Sequence, residues 1–511
     1  MFEVTTFLLF FGLFHSASTA YFELDHQFSR TASPCQDFYK FVCNPGQNHN
    51  ESFAYQVGNK YKNELKEALH GYSDPVVDFY REIFMREMRN EALFKKGRKI
   101  GESAYNGGRK YGVSATVAKE TVVIMESATL LGNSDYTIEV NKYLLNSPSP
   151  YINLISSKIA SQRNMWLSEE NIQRINSLTD ALVDEIAAQI QKQSWISEDK
   201  KEKVIRAMRD VKKTMVLSEA TRNIDNLNEA IKFYIAHFEK SKPKLTALLA
   251  KNVCDPVCVY THMKKVLHNA MQRYNLEYGH TDKFVDFHTS LNSQLPMHMY
   301  NAFSTHDSVI IHPAFQFYMN DDLPVGLRFS MVGRIMAHEL FHSLDSGPSM
   351  SRNPLFVKPA DHLKGLKQYD HALQCYEQFY GSFGSIAPNG TIFYPDGALS
   401  RNEGFCDIEG MRIVLKALEN TVFSDRTFKS TYSYSTYSDK EWFFIGSDMF
   451  SCTASGMTDF DAFKRYRPSA YPRPTIRLNA MALQLEEFSE IFRCKPGDPM
   501  YVVEKQCKAF P

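Results

Sequence analysis

Met336-Ala337-His338-Glu339-Leu340-Phe341-His342-Ser343-Leu344-Asp345 decides the reading of this chain. It contains the pattern His-Glu-x-x-His. Two histidines four apart lie on one helix face, a turn from each other. Their imidazoles are then placed to take one tetrahedral zinc ion together. Glu339 follows the first histidine, where it can remove a proton from a water on that metal. Phe329, Met331, Val332, Ile335, Met336, Leu340, Phe341 and Leu344 supply an apolar stripe, and no proline falls between Pro324 and Pro348. A buried helix with its metal face toward a cleft is expected. The bland alternative is a core helix with two satisfied histidines.

A catalytic zinc needs a third protein ligand and a position left for water. Glu403 in Asn402-Glu403-Gly404-Phe405-Cys406-Asp407 is the candidate. Asp407 lies four residues on, so one helix face offers a carboxylate to the metal and a second behind it. Asp407 and Asp345 are each placed to hold the far nitrogen of a ligand histidine, as such histidines usually require. Cys406 is expected to pack in the core as a small thiol.

The chain has 511 residues, which suggests two lobes or domains rather than one core. Lys+Arg and Asp+Glu are both 58, so nothing in the charge points to nucleic acid or an anionic membrane as partner. Phe7 to Phe14 is an apolar run, and Ser18-Thr19-Ala20 precedes a cut before Tyr21, which reads as an export signal over residues 1–20. Its leading residues carry Glu3 and no Lys or Arg, and the alternative is an uncleaved anchor or a buried N-terminal segment. The run is too short for a membrane-spanning helix, and no other window is apolar enough. A secreted, extracellular chain is expected. Its 9 cysteines then imply disulfides and at least one odd thiol. Asn50-Glu51-Ser52 and Asn389-Gly390-Thr391 are glycosylation sequons, at Asn50 and Asn389.

Helical spacing marks Tyr61–His70, Pro75–Arg89 and Ile175–Gln193. Ser197 is expected to cap a helix whose buried stripe is Val204, Ile205, Met208 and Val211. Ser308-Val309-Ile310-Ile311 reads as a strand, and an exposed edge there suits an extended peptide. Further helices are expected at His371–Tyr380, Asn402–Leu418 and Met481–Phe492.

Together these residues resemble the neprilysin family of zinc endopeptidases. The resemblance runs through nearly the whole mature chain. It rests on Pro34-Cys35-Gln36-Asp37-Phe38-Tyr39-Lys40-Phe41-Val42-Cys43, Trp195 with the 197–211 helix, and Asn301-Ala302-Phe303. It continues through His338, Glu339, His342, Asp345, Glu403 and Asp407 to Glu487-Phe488-Ser489-Glu490 with Phe492 and Cys494. The family implies a mainly α fold with a small β component: two helical lobes around a central cavity, the catalytic one thermolysin-like. Residues 21–55 would be an arm on the catalytic lobe, 56–255 a shortened helical lobe and 256–511 the zinc lobe. The resemblance further implies one zinc on His338, His342 and Glu403, with Asn301 and Ala302 on the substrate backbone and Arg477 on a substrate carbonyl. It also implies the disulfides Cys35–Cys494, Cys43–Cys452 and Cys375–Cys507, and leaves Cys258 to pair with Cys254 or stay free.

Four features depart from the family. The chain is shorter, with the loss in the helical lobe. Tyr471 stands where a catalytic histidine precedes the arginine. Arg334 stands where an apolar residue lines a substrate pocket. No arginine occurs between Cys43 and Tyr80. The expected function is a secreted zinc endopeptidase acting on short peptides, with Tyr471 as oxyanion donor. The alternative is a secreted pseudopeptidase that binds zinc and peptide with little turnover.

Overall fold

The computed structural model describes residues 32–43, 53–89, 150–163, 168–215, 219–250, 256–283, 301–320, 323–351, 355–424, 437–447, 449–452 and 457–511. The export segment 1–20, Asn50, Cys254 and the side chain of Cys258 lie outside the described residues. The chain is mainly helical with a few short strands. Its buried apolar side chains form one continuous cluster. No helix among the described residues is long and apolar enough to cross a membrane.

The motif helix runs on from Val325–Arg328 through a π-helical turn, Phe329–Arg334, into Ile335–Phe341. All residues of the π turn are buried. The sequence stripe therefore marks an element walled on every side rather than on one. A π turn widens the helix by one residue, and such turns recur beside functional sites.

Strand β1 (Lys212–Met215) runs parallel to β3 (Ser308–Ile311). Strand β2 (Ala302–Ser304) pairs antiparallel with β3, Ala302 opposite Ile311 and Phe303 opposite Ile310. The order β1-β3-β2 leaves β2 at the edge of this sheet. Both β2 and β3 pack against the motif helix.

The packing groups the elements into two bodies. One holds the helices Phe53–His70, Pro75–Arg89, Pro150–Arg163, Ile224–Ala250 and Pro256–Tyr278, packed on one another. The other holds the motif helix, the three-stranded sheet and the helices Glu169–Lys192, Lys367–Gly381, Gly397–Ser424 and Pro474–Leu483. A single division at 255–256 does not describe this packing. Glu169–Lys192 lies on the motif helix and on Gly397–Ser424, while Pro256–Tyr278 packs back on Pro75–Arg89. The cause is β1: a parallel strand reaches its partner only through a long crossover, so the chain enters the body that holds the motif helix long before the motif itself.

Local chemistry sets the boundaries. Ser168 caps Glu169–Lys192 by accepting from Asn171 N at 3.1 Å, and Glu169 and Glu170 sit at its positive end. Its buried side is Ile172, Ile175, Leu178, Leu182, Ile186 and Ile190, a helical repeat. Ser197 stands before Glu198–Asp210 but makes no side-chain cap bond. The stretch Met481–Phe492 is not one helix. It breaks at Gln484 between Pro474–Leu483 and Glu486–Phe492. Gln484 is taken up elsewhere: its Oε1 accepts Cys507 N at 2.7 Å and its carbonyl accepts Arg412 Nη2 at 3.0 Å.

Among the described residues three disulfides tie distant ends together: Cys35–Cys494, Cys43–Cys452 and Cys375–Cys507. The first two fix the helix Phe38–Cys43 to the body that holds the motif helix, where Phe38 stacks edge-on to Phe488 at 4.8 Å. These are the pairs implied by the resemblance. Cys406 is buried and free.

Candidate metal centre

His338 lies in the last turn of the motif helix, and His342 caps it. Their rings meet edge to face at 4.8 Å. Glu403 comes from the crossing helix Gly397–Ser424. That helix lies close to Lys367–Gly381, because a Cβ on Gly404 would stand 1.9 Å from the Tyr380 ring. A glycine beside the candidate ligand thus sets how deep Glu403 enters. The ligand atoms of His338, His342 and Glu403 all lie within 4.8 Å of one another. Glu403 Oε2 is 3.2 Å from His338 Nε2 and 3.8 Å from His342 Nε2.

Each far nitrogen has a carboxylate beside it. His338 Nδ1 lies 2.8 Å from Asp407 Oδ1, and His342 Nδ1 lies 2.8 Å from Asp345 Oδ2. A carboxylate at Nδ1 draws the proton there and leaves the Nε2 lone pair facing inward. Glu403 Oε2 is buried with no hydrogen-bond donor aligned on it. Two inward lone pairs and a carboxylate oxygen repel one another unless a cation lies among them. The donor set therefore fits zinc: two imidazoles and one carboxylate, with no fourth protein group in the cluster among the described residues. Without a metal the same arrangement favours a proton. Burial opposes it, but the carboxylates of Asp407 and Glu403 push His338 up to about 9.

Around this core the charges are paired. Asp407 is fully buried and takes Arg477 Nε at 2.6 Å, Arg477 Nη2 at 2.8 Å and Arg334 Nη1 at 3.1 Å. Burial alone would raise its pKa; Arg477 and His338 hold it far below the usual range. Arg477 thus engages a carboxylate of the site itself, and buried Arg334 is turned to the same carboxylate rather than left lining a pocket. Glu339 is buried, which raises its carboxyl above the ordinary value, against the pull of both histidines.

Tyr471 is 45% exposed, and the Arg477 guanidinium lies 5.1 Å from its ring centre. Burial of part of the side chain and then the carboxylates of Glu403 and Glu339 raise its phenol. Asn301 is exposed at the start of β2 and caps Ala302 N through its own Oδ1 at 2.9 Å. Asn389 lies in an exposed turn of another hairpin.

Two residues escaped the sequence reading. Lys358 is buried, with Nζ 2.5 Å from Asp345 Oδ1 and 3.0 Å from Gly347 O. His306 takes a left-handed φ of 73° between β2 and β3, and its ring lies 6.4 Å from that of His342. Its Nδ1 accepts Met350 N at 2.8 Å, and burial first, then Lys358, lowers it to about 4. No motif flags either one; only the fold brings them in. Cys406 Sγ lies 3.4 Å from His342 Nδ1, and with Asp345 it forms a second possible ligand trio. Lys358 already binds that aspartate, and burial pushes the thiol far above its usual range, so the first trio is the better cation site.

Residues 301–509 match the family model Peptidase family M13. "Neprilysin-2" of Caenorhabditis elegans is 23% identical over 209 residues, 40% of this chain and 28% of that protein. The zinc metalloprotease ZMP1 of Mycobacterium tuberculosis, in complex with inhibitor, superposes with a TM-score of 0.51 at 11% identity, over 76% of this chain and 55% of that one. A chain of the Haemonchus galactose containing glycoprotein complex gives 0.54 at 12% identity, over 93% and 96%. The chain thus spans 28% of the curated relative's length and 55% of the mycobacterial protease. These structural likenesses show a shared two-lobed helical fold.

Proposed function

We propose that the chain, whose residues 301–509 match the model of peptidase family M13, belongs to that family, the neprilysin family, and is a secreted zinc-dependent endopeptidase that hydrolyses short peptides. The observation that carries this reading is the convergence of His338, His342 and Glu403 beside a buried Glu339. His338 and His342 would hold the ion through Nε2 and Glu403 through a carboxylate oxygen. When bound, zinc acidifies a water and polarises the carbonyl to be cleaved. Asp407 and Asp345 keep each imidazole in the tautomer that faces inward. Glu339 accepts the proton of the attacking water and returns it to the leaving nitrogen; its raised affinity for protons suits that exchange. Asn301 and Ala302 would hold the substrate backbone along the β2 edge. Arg477, anchored on Asp407, would face a substrate carbonyl, and Tyr471 would donate its hydroxyl to the developing oxyanion.

Export is part of the proposal. It is supported by the Phe7 to Phe14 run in the sequence and by three disulfides. A second reading, a pseudopeptidase that retains zinc and peptide, draws on the exposure of Tyr471. A mixed-peptide digest separates the readings, comparing the wild-type chain, Glu339→Ala and a chelated sample. Fragments from the wild type alone are expected. Cleavage in all three, or in none, overturns the peptidase reading.

A further inference from the structure

Strands β4 (Ser385–Ile386) and β5 (Ile392–Phe393) form a short hairpin beside the Tyr471 loop. Its turn is Ala387-Pro388-Asn389-Gly390-Thr391. Gly390 N bonds to Ala387 O at 2.9 Å, and Ala387 N bonds to Thr391 O at 2.8 Å. Proline presets the second turn position, and Gly390 takes the left-handed φ of 83° that closes this loop type. The turn chemistry therefore dictates a rigid tip. The hairpin base is braced as well. Arg473 donates to Phe383 O at 3.0 Å, to Gly384 O at 2.9 Å and to Asp459 Oδ1 at 2.7 Å. Ser385 Oγ donates to the other oxygen of Asp459 at 2.5 Å.

Such a fixed hairpin has a face that its composition does not explain. Ile386 and Ile392 are direct cross-strand partners, so they share one face. They are 66% and 52% exposed, and the next residue but one, Tyr394, is 61% exposed. Neighbouring large apolar residues left in water on a rigid element mark a covered surface. The tip supplies a cover. Asn389 is exposed, and its Oδ1 accepts Thr391 N at 3.1 Å, which leaves the amide nitrogen as the outward group. A Cβ added at Gly390 would meet nothing within 4 Å, so the space beside the acceptor is open. Asn389 lies three residues from each isoleucine, at the middle of the turn that joins their strands.

We infer that Asn389 carries an N-linked glycan whose first sugars lie over the Ile386–Ile392 face and shield it beside the Tyr471 side of the centre. This rests on the export half of the proposed function and not on the peptidase half. Asn389 Nδ2 loses a proton and bonds to the anomeric carbon of the oligosaccharide. The bond from that carbon to the diphosphate of a lipid-linked donor breaks, and the lipid diphosphate leaves with the electron pair. The apolar faces of the sugar rings then replace water on the two isoleucines, while their hydroxyls face solvent.

The test is expression of the full chain in secreting eukaryotic cells as wild type, Asn389→Gln, Thr391→Ala and Thr391→Ser. Peptide mass spectrometry after enzymatic deglycosylation reads occupancy at Asn389, and an apolar-surface dye reads the exposed face. Occupied Asn389 is expected in the wild type and in Thr391→Ser, which keeps the sequon. Asn389→Gln and Thr391→Ala should lose that glycan, bind roughly twice as much dye and aggregate sooner. Adding Ile386→Ser and Ile392→Thr to Thr391→Ala should return dye binding to the wild-type level. An unoccupied Asn389 in protein recovered from the medium overturns the inference, as does glycan loss with dye binding unchanged. Peptide cleavage is measured on the same samples, so failure of the peptidase reading is seen separately.

Discussion

In the proposed reaction Glu339 and Tyr471 divide the chemistry at the scale of single residues. Glu339→Gln keeps the shape of the buried side chain but cannot take a proton, so peptide turnover should fall about 10²–10⁴-fold while zinc content stays at the wild-type level. Turnover near wild type would remove Glu339 from the reaction. Tyr471→Phe deletes only the hydroxyl. Loss of one oxyanion donor costs about 10²–10³ in kcat, and KM should stay nearly constant, since the group acts late. An unchanged kcat would make Tyr471 a packing residue of its proline-rich loop. The meeting of His338 with His342 was legible in the sequence because a four-residue spacing forces two side chains onto one face, while the approach of Glu403 is set by a second helix. Lys358 and His306 were not, because each acts across a loop: Lys358 on Asp345, His306 on Met350 N. The partner of Arg334 was not legible for a related reason. Its position suggested a pocket wall, but its reach allows it to turn to buried Asp407.

Elements decide whether these residues meet. Gly404→Ala gains up to about 1 kcal/mol of helix propensity, but its Cβ would stand 1.9 Å from buried Tyr380. Overpacking of this kind costs about 1–3 kcal/mol, so the clash wins. Thermal unfolding should shift down, and zinc affinity should weaken as Glu403 is pushed aside; a variant as stable and as zinc-avid as wild type would contradict this. The β4–β5 hairpin gives a pH prediction. Burial opposes ionisation of Asp459, but hydrogen bonds from Arg473 and Ser385 lower its pKa below the ordinary value. Its brace is therefore fully present above the unfolded carboxylate range, about pH 4, and is lost as pH falls through the lower folded value. Amide exchange in β4 and β5 should speed up there, and in Asp459→Asn it should already be fast at neutral pH. Equal protection in both proteins at neutral pH would count against the brace. Helix existence was readable from period, as with Pro75–Arg89, whereas the cap expected from Ser197 is not made. The π turn and the break at Gln484 were not, since both answer to distant partners.

The whole molecule is held by links that close very long loops. Cys35–Cys494 and Cys43–Cys452 span 459 and 409 residues, and Cys375–Cys507 spans 132. Removing Cys375–Cys507 by paired serine substitution should cost about 2–4 kcal/mol, seen as a lower denaturation midpoint; an unchanged midpoint would make the link ornamental. Two bodies were foreseeable from length, but not their interleaving, because the pairing of β1 with β3 is a contact between residues 212–215 and 308–311 that no local pattern announces. The proposed function depends on one arrangement across that fold: zinc on two imidazoles and a carboxylate, with a position left for water. X-ray absorption of the zinc-loaded protein tests this most directly. The prediction is nitrogen and oxygen neighbours alone at about 2.0–2.2 Å, two of them imidazole. A sulfur neighbour at about 2.3 Å would mean that Cys406 closes the site, and would contradict a hydrolytic centre.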